Sequence, residues 1–126
     1  MGRRGERVAA RYLRRRGFRQ LAANMRVGVG EADLVFLSPD GRELVVVEVK
    51  ARRGSAGERR PESQITAAKQ RKLRSVAESV RKRTNAGAAK RPLGLRIDVV
   101  AVELRRWPRR SVVRHIERAV SWRASG

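Results

Sequence analysis

The chain has 126 residues, enough for one domain with a real core, and carries 32 Lys and Arg against 12 Asp and Glu, a formal net charge of +20. An excess of that size favours a polyanionic partner, nucleic acid ahead of an anionic membrane surface. The absence of cysteine excludes disulfides and thiolate metal sites, and no apolar run nears the ~20 residues of a membrane span. The basic N-terminus is not followed by a hydrophobic signal segment, so a soluble cytoplasmic protein with no membrane association is expected. One domain over residues 1–126 is the reading, with a basic tail from about residue 119.

The basic residues are 27 arginines and only five lysines: Lys50, Lys69, Lys72, Lys82 and Lys90. In so arginine-biased a chain, a retained lysine points to a position that needs a compact ammonium rather than a planar fork.

Residues 5–16 read as a first helix, with Ala9, Tyr12 and Leu13 as its apolar stripe and Gly17 as its stop. Glu6 falls on the edge of that stripe. It either points inward or simply favours the positive helix terminus. Residues 18–29 read as a strand leading into a Gly28-Val29-Gly30 bend. Residues 31–37 then alternate, with Glu31, Asp33, Val35 and Leu37 on one face.

Asp40-Gly41 between two apolar runs signals a hairpin. A two-residue loop, or a four-residue loop centred on the same pair, sets Leu37 against Leu44 and Val35 against Val46. Continued, that register sets Asp33 against Glu48 and Glu31 against Lys50. The second strand, residues 43–50, is apolar on both faces for most of its length and reads as the central strand.

Two carboxylates directly opposed on one face repel each other. Either the pair lies at an exposed sheet end where water screens it, or a divalent cation, Mg²⁺ or Mn²⁺, compensates it.

Residues 52–60 form a loop rich in Gly, Ser and Arg, suited to phosphate contacts. A helix is expected from Pro61 to about Arg83, with Ile65, Leu73, Val76 and Val80 in its apolar row and Lys69 falling in the same row. Gln64 sits one position earlier than Ile65 and is placed to line a groove. Residues 95–104 read as a further strand in which Arg96 and Asp98 form a structural ion pair. A turn follows at Trp107-Pro108, then a strand over residues 111–116. His115, the only histidine, reads as structural or surface. Aromatics, at 4%, are too scarce for extensive base stacking.

Glu6, Asp33, Glu48 and Lys50 together have the spacing of a metal-dependent phosphodiester-cleaving site. Carboxylates hold a cation, and a lysine stands near the attacking water or the developing charge. Gly30-Glu31-Ala32-Asp33-Leu34, Val47-Glu48-Val49-Lys50-Ala51-Arg52, Arg96-Ile97-Asp98-Val99-Val100 and the opening Gly5-Glu6 resemble the bacterial YraN-like family. Those proteins are uncharacterised, have a restriction-endonuclease-like fold and are similar to archaeal Holliday junction resolvases.

The resemblance covers roughly residues 5–119. It implies an α/β core with a mixed central sheet flanked by helices. It further implies Asp33 and Glu48 as metal ligands, Lys50 as the catalytic lysine, and Glu6 as an acid that completes the metal shell or bonds to a metal-bound water. Gln64 or Lys69 would be auxiliary. Ala32 stands where the wider superfamily often has proline, a departure with no chemical consequence.

The function expected is Mg²⁺- or Mn²⁺-dependent DNA cleavage, with branched or structured DNA among the substrates. The arginines Arg14, Arg15, Arg16, Arg52, Arg53, Arg59 and Arg60 would hold the backbone. Junction-cleaving relatives imply a homodimer, since symmetric cuts need two sites. The alternative is a non-catalytic protein that binds DNA or RNA on the same scaffold.

Overall fold

The computed structural model describes residues 2–53, 65–85 and 94–121. In chain order these form α1 (Gly2–Arg15), β1 (Arg19–Val27), β2 (Gly30–Leu37), β3 (Glu43–Arg53), α2 (Ala67–Asn85), β4 (Gly94–Leu104) and β5 (Val112–Ile116). The strands make one sheet in the order β1-β2-β3-β4-β5. Every neighbouring pair is antiparallel except β3 and β4, which run parallel.

The parallel pair is the centre of the molecule, because its residues are apolar on both faces. Val45 and Val47 of β3 and Val100 and Val102 of β4 pack against Ala9, Ala10 and Leu13 of α1. From the opposite face, Leu44, Val46 and Ile97 meet Leu73, Val76, Ala77 and Val80 of α2. The sheet is therefore mixed, with one helix on each side, and each helix buries only its apolar stripe.

The first helix closes at the expected place. The Phe18 amide donates to the Leu13 carbonyl at 3.1 Å and the Gly17 amide to that of Arg14 at 3.0 Å, with Gly17 at φ 93°. This paired arrangement satisfies the last carbonyls of α1 and folds Phe18 back onto the core beside Leu13.

The expected hairpin takes its four-residue form. The Ser38 amide donates to the Glu43 carbonyl at 2.9 Å across residues 39–42, and Asp40 Oδ1 accepts from Ser38 Oγ at 2.7 Å and from the Arg42 amide at 3.0 Å. Those two bonds, the Arg42 amide first, hold the Asp40 carboxyl below its ordinary range. Leu37 pairs with Leu44 and Val35 with Val46, as the turn predicts.

The second helix differs from expectation at its start. It begins at Ala67 rather than at Pro61, which lies outside the described residues. Thr66 explains the difference: its Oγ1 accepts from the Lys69 amide at 3.1 Å, so it caps the helix and leaves Ile65 outside it. The tail expected from about residue 119 begins on the core. The Ala119 amide donates to the Ile97 carbonyl at 2.8 Å, and Val120 is buried among the α2-side residues.

Asp98 is fully buried and accepts four hydrogen bonds. They come from Arg96 Nε (3.0 Å) and Nη2 (2.7 Å), His115 Nε2 (2.7 Å) and the Arg118 amide (3.0 Å). Burial alone would raise its pKa, but the bonds from His115, Arg96 and Arg118 outweigh it and the group is held below its ordinary value. The ion pair of Arg96 and Asp98 is thus structural, as expected, and His115 belongs to it. The Trp107–Pro108 peptide, between β4 and β5, is cis.

Helix α1 lies close against β3 at Gly5, where a Cβ would come within 2.5 Å of the Ala51 Cβ. Neither atom is on a flexible side chain, so Gly5→Ala must push α1 away from the strand. Although alanine favours helix by about 1 kcal/mol, Gly5→Ala is expected to lower stability by about 1–3 kcal/mol in urea unfolding. Unchanged or higher stability would show that the contact relaxes freely.

Candidate active site and nucleic-acid interface

Backbone pairing between β2 and β3 stops at Leu34 and Val47. The next residues in register are Asp33 and Glu48, so the strands part where the two acids meet. Asp33 fills the gap with its side chain, Oδ2 accepting from the Val49 amide at 2.8 Å. A donor released by the end of the ladder is thereby satisfied by a carboxylate. The further pairing of Glu31 with Lys50 expected from the register does not form, because the strands have already separated: Glu31 is exposed and the Lys50 ammonium turns to Glu48.

Glu48 is 8% exposed, and its Oε2 takes two ammonium groups, Lys50 Nζ at 3.3 Å and Lys69 Nζ at 3.3 Å. Lys50 lies two residues along the same strand, whereas Lys69 comes from the first turn of α2. The placement of Lys69 among apolar positions is explained by this contact: the half-exposed side chain reaches a buried acid.

Asp33 differs from Glu48 in having no ion pair among the described residues. Its pKa is raised from 3.8 to about 6, chiefly by burial and further by the charges of Glu48 and Glu6, against the Val49 amide, which pulls it down. Glu6 therefore lies within electrostatic range of Asp33 from α1, on the side of the sheet opposite α2. This favours the inward reading of Glu6 over a role confined to its helix terminus.

Among the described residues, no three acidic or histidine side chains come close enough to hold a metal ion together. The structure thus gathers Asp33 and Glu48 but does not bring Glu6 in as a third direct ligand. A hard cation such as Mg²⁺ needs only one or two carboxylates when water and a phosphate supply the rest. Two neighbouring carboxylates, one driven toward protonation by burial and by the charge of the other, form a donor set that fits such an ion.

A groove of about 660 Å³ runs beside α1, and Arg3, Arg4, Arg7, Arg11 and Arg14 line it together with Glu6. Sequence reasoning picked Arg14 but missed the other four. Arg3, Arg7, Arg11 and Arg14, spaced by four, four and three residues, lie on one helical face, which was the available signal. Arg16 is turned to Tyr12, over whose ring its guanidinium sits at 5.4 Å. Arg15 is exposed at the end of α1, and Arg52 and Arg53 lie at the end of β3. Gln64, Arg59 and Arg60 lie outside the described residues.

The groove also contains Asn24, a residue that sequence alternation did not mark. Its neighbours pair as Ala23 with Leu34 and Met25 with Ala32, so Asn24 stands opposite Asp33 on β1. Its φ of 52° departs from strand geometry. Asparagine tolerates that region better than most residues, and such departures cluster at functional sites.

This arrangement defines an α/β protein whose mixed five-stranded sheet carries a helix on each face, with acids and lysines collected where β2 and β3 stop pairing. Residues 5–102 match the uncharacterised protein family UPF0102, and the chain belongs to this YraN-like family. A UPF0102 protein of Streptomyces coelicolor is 47% identical over 82% of this chain and 76% of its own length. One of Symbiobacterium thermophilum is 42% identical over 82% and 81%, and one of Pelotomaculum thermopropionicum 39% identical over 94% and 93%. Among solved structures, an EndoMS complex with double-stranded DNA aligns with 71% of this chain at 21% identity and a TM-score of 0.42. The chain spans 32% of that protein, and a likeness at this level says nothing of activity.

The raised pKa of Asp33 fixes a sign for the pH dependence of stability. The unfolded group ionises near its ordinary 3.8 and the folded one near 6, so keeping Asp33 ionised opposes folding above about pH 6 and not below about pH 4. Asp33→Asn keeps an acceptor for the Val49 amide and removes the charge. In chelator at pH 7.5 this variant is expected to be more stable by about 1–2 kcal/mol, allowing for the partial exposure of the site. At pH 4 the difference is expected to vanish. Thermal unfolding at both pH values measures it, and an equal gain at each would remove the electrostatic cause.

Proposed function

We propose that this protein is a metal-dependent endonuclease acting on DNA. The observation that carries the reading is the meeting of Asp33 and Glu48 at the split between β2 and β3, with Lys50 and Lys69 converging on one oxygen of Glu48. Burying acids together costs folding free energy, and a function that needs them there accounts for the cost.

Asp33 and Glu48 would hold Mg²⁺ or Mn²⁺, which when bound supplies an acidified water and neutralises charge on the scissile phosphate. The chain's own residues do the rest. Arg3, Arg7, Arg11 and Arg14 hold the backbone along the groove, a contact that carries charge and little sequence preference. Lys50 and Lys69 keep two ammonium groups fixed at the split, where negative charge grows on the phosphate oxygens during attack. Glu6 approaches from α1 and completes the acidic side. Asn24 offers an amide to the groove opposite Asp33.

A non-catalytic binding platform for DNA or RNA accounts for the charge of +20 and for the arginine groove. It leaves Asp33, Glu48 and Glu6 unexplained, because carboxylates weaken phosphate binding unless a cation intervenes.

The direct test incubates the protein with linear, flapped and four-way DNA and with RNA, in Mg²⁺, Mn²⁺ or chelator. Cleavage is expected with either metal and not with chelator, and Glu48→Ala and Lys50→Ala are expected to lose at least about a hundredfold in rate. Cleavage that is absent, or that survives both substitutions, removes the catalytic reading. Independently of turnover, Mn²⁺ is expected to raise the melting temperature of the protein and not that of Asp33→Ala. The same rise in both would deny Asp33 a role as ligand.

A further inference from the structure

The segment joining β4 to β5 carries Arg105-Arg106-Trp107-Pro108-Arg109-Arg110. Trp107 is 91% exposed, far more than Leu21 or Val29, the other large apolar residues exposed among those described. An indole that exposed contributes almost nothing to the core, and leaving it in water forgoes the gain that burial would bring. Three exposed arginines, Arg106, Arg109 and Arg110, flank it in the sequence, and none of them has an ion-pair partner among the described residues. The tip is nevertheless built. The Arg109 amide donates to the Arg106 carbonyl at 2.9 Å, Arg105 is held by Glu103 Oε2 at 2.8 and 3.1 Å, and Arg4 Nη2 of α1 donates to the Arg105 carbonyl at 3.3 Å.

That last bond ties the tip to the helix that carries Glu6 and the groove arginines. The tip also leaves the sheet at the same end as the acids. β3 and β4 run parallel with Glu48 level with Val99 and Arg53 level with Leu104, so the tip lies beyond the end toward which Glu48 and Lys50 point along the strand. From Val99 to Leu104 is on the order of 17 Å of strand. About five stacked nucleotides, at ~3.4 Å each, cover that distance.

We infer that Trp107 is a stacking platform for an unpaired nucleobase, with Arg106, Arg109 and Arg110 holding the flanking phosphates. Its ligand class is nucleic acid with a single-stranded segment, a loose end, flap or open branch, rather than uninterrupted duplex. A flat, rigid, exposed ring accepts any base by its π-face, and the flanking guanidinium groups supply the phosphate contacts that stacking alone lacks. Bases within a closed duplex are already stacked and offer no face to it. The inference rests on the nucleic-acid part of the proposed function but not on turnover.

The sequence has two tryptophans, Trp107 and Trp122, so a Trp122→Phe variant leaves Trp107 as the only indole reporter. In chelator, an oligothymidylate and a flapped DNA are expected to quench Trp107 emission on binding, and a blunt duplex of equal phosphate number to quench it little. Followed by anisotropy of labelled DNA, Trp107→Ala is expected to bind the oligothymidylate about tenfold more weakly. Binding of the blunt duplex should change less than about twofold, Trp107→Phe should restore most of the loss, and the melting temperature should hold.

Binding of single strands without quenching, or an equal loss on both DNAs, overturns the stacking role alone. A blue shift of Trp107 with anionic vesicles, with no quenching by DNA, overturns it in favour of a membrane surface. Failure to bind any nucleic acid overturns the inference together with the binding part of the proposed function. Preferential quenching in a protein that does not cleave supports the stacking role while the catalytic reading falls.

Discussion

The structure turns on the place where β2 and β3 stop pairing. Up to Leu34 and Val47 the backbone groups satisfy each other. One residue further, the Asp33 carboxylate takes the Val49 amide and the strands separate. An ordinary antiparallel pair would have placed two like charges face to face with nothing between them. Parting the strands instead opens a notch in the sheet, with Asp33 on the β2 wall and Glu48 and Lys50 on the β3 wall.

Each helix supplies one charged residue to that notch because each buries its apolar stripe against a different face of β3. Helix α1 presses so closely at Gly5 that no larger residue fits without movement, and the next residue is Glu6. Helix α2 is capped by Thr66, and the same cap fixes the amide of Lys69. The charged positions are thus set by packing and capping, and they inherit the rigidity of those contacts. On the far side of β4 a second charged cluster, Arg96, Asp98 and His115, is closed and fully paired at Asp98. The two sites contrast: Asp98 is pulled below its ordinary pKa by donors, and Asp33 is pushed above it by burial and other acids.

Much of this was legible in the sequence because it depends on period and turn chemistry. The run Leu44-Val45-Val46-Val47 reads as a strand covered on both sides, and Asp40-Gly41 fixes the register that brings Asp33 to Glu48. Lys69 stood out because it interrupts an apolar row. What was not legible depends on local departures from regularity. Alternation does not reveal that the β2–β3 ladder ends before Glu31 can meet Lys50, or that Asn24 leaves strand geometry beside Asp33. The start of α2 was misplaced because Pro61 and Thr66 both suit a helix beginning, and only the bond to the Lys69 amide decides between them. The groove arginines Arg3, Arg7 and Arg11 were hidden by abundance, since a pattern in one residue type carries little contrast when that type is everywhere.

Among the described residues, strand β1 forms one edge of the sheet, and it is broken twice. The register slips between Gln20 and Ala22, leaving Leu21 over, and Asn24 turns out of line three residues later. Arg19 and Arg26 add charge near its ends. A free strand edge is a template on which another chain can add a strand, and irregularity and charge are what remove that capacity. The irregularity that brings Asn24 to the groove also makes this edge a poor template for an added strand.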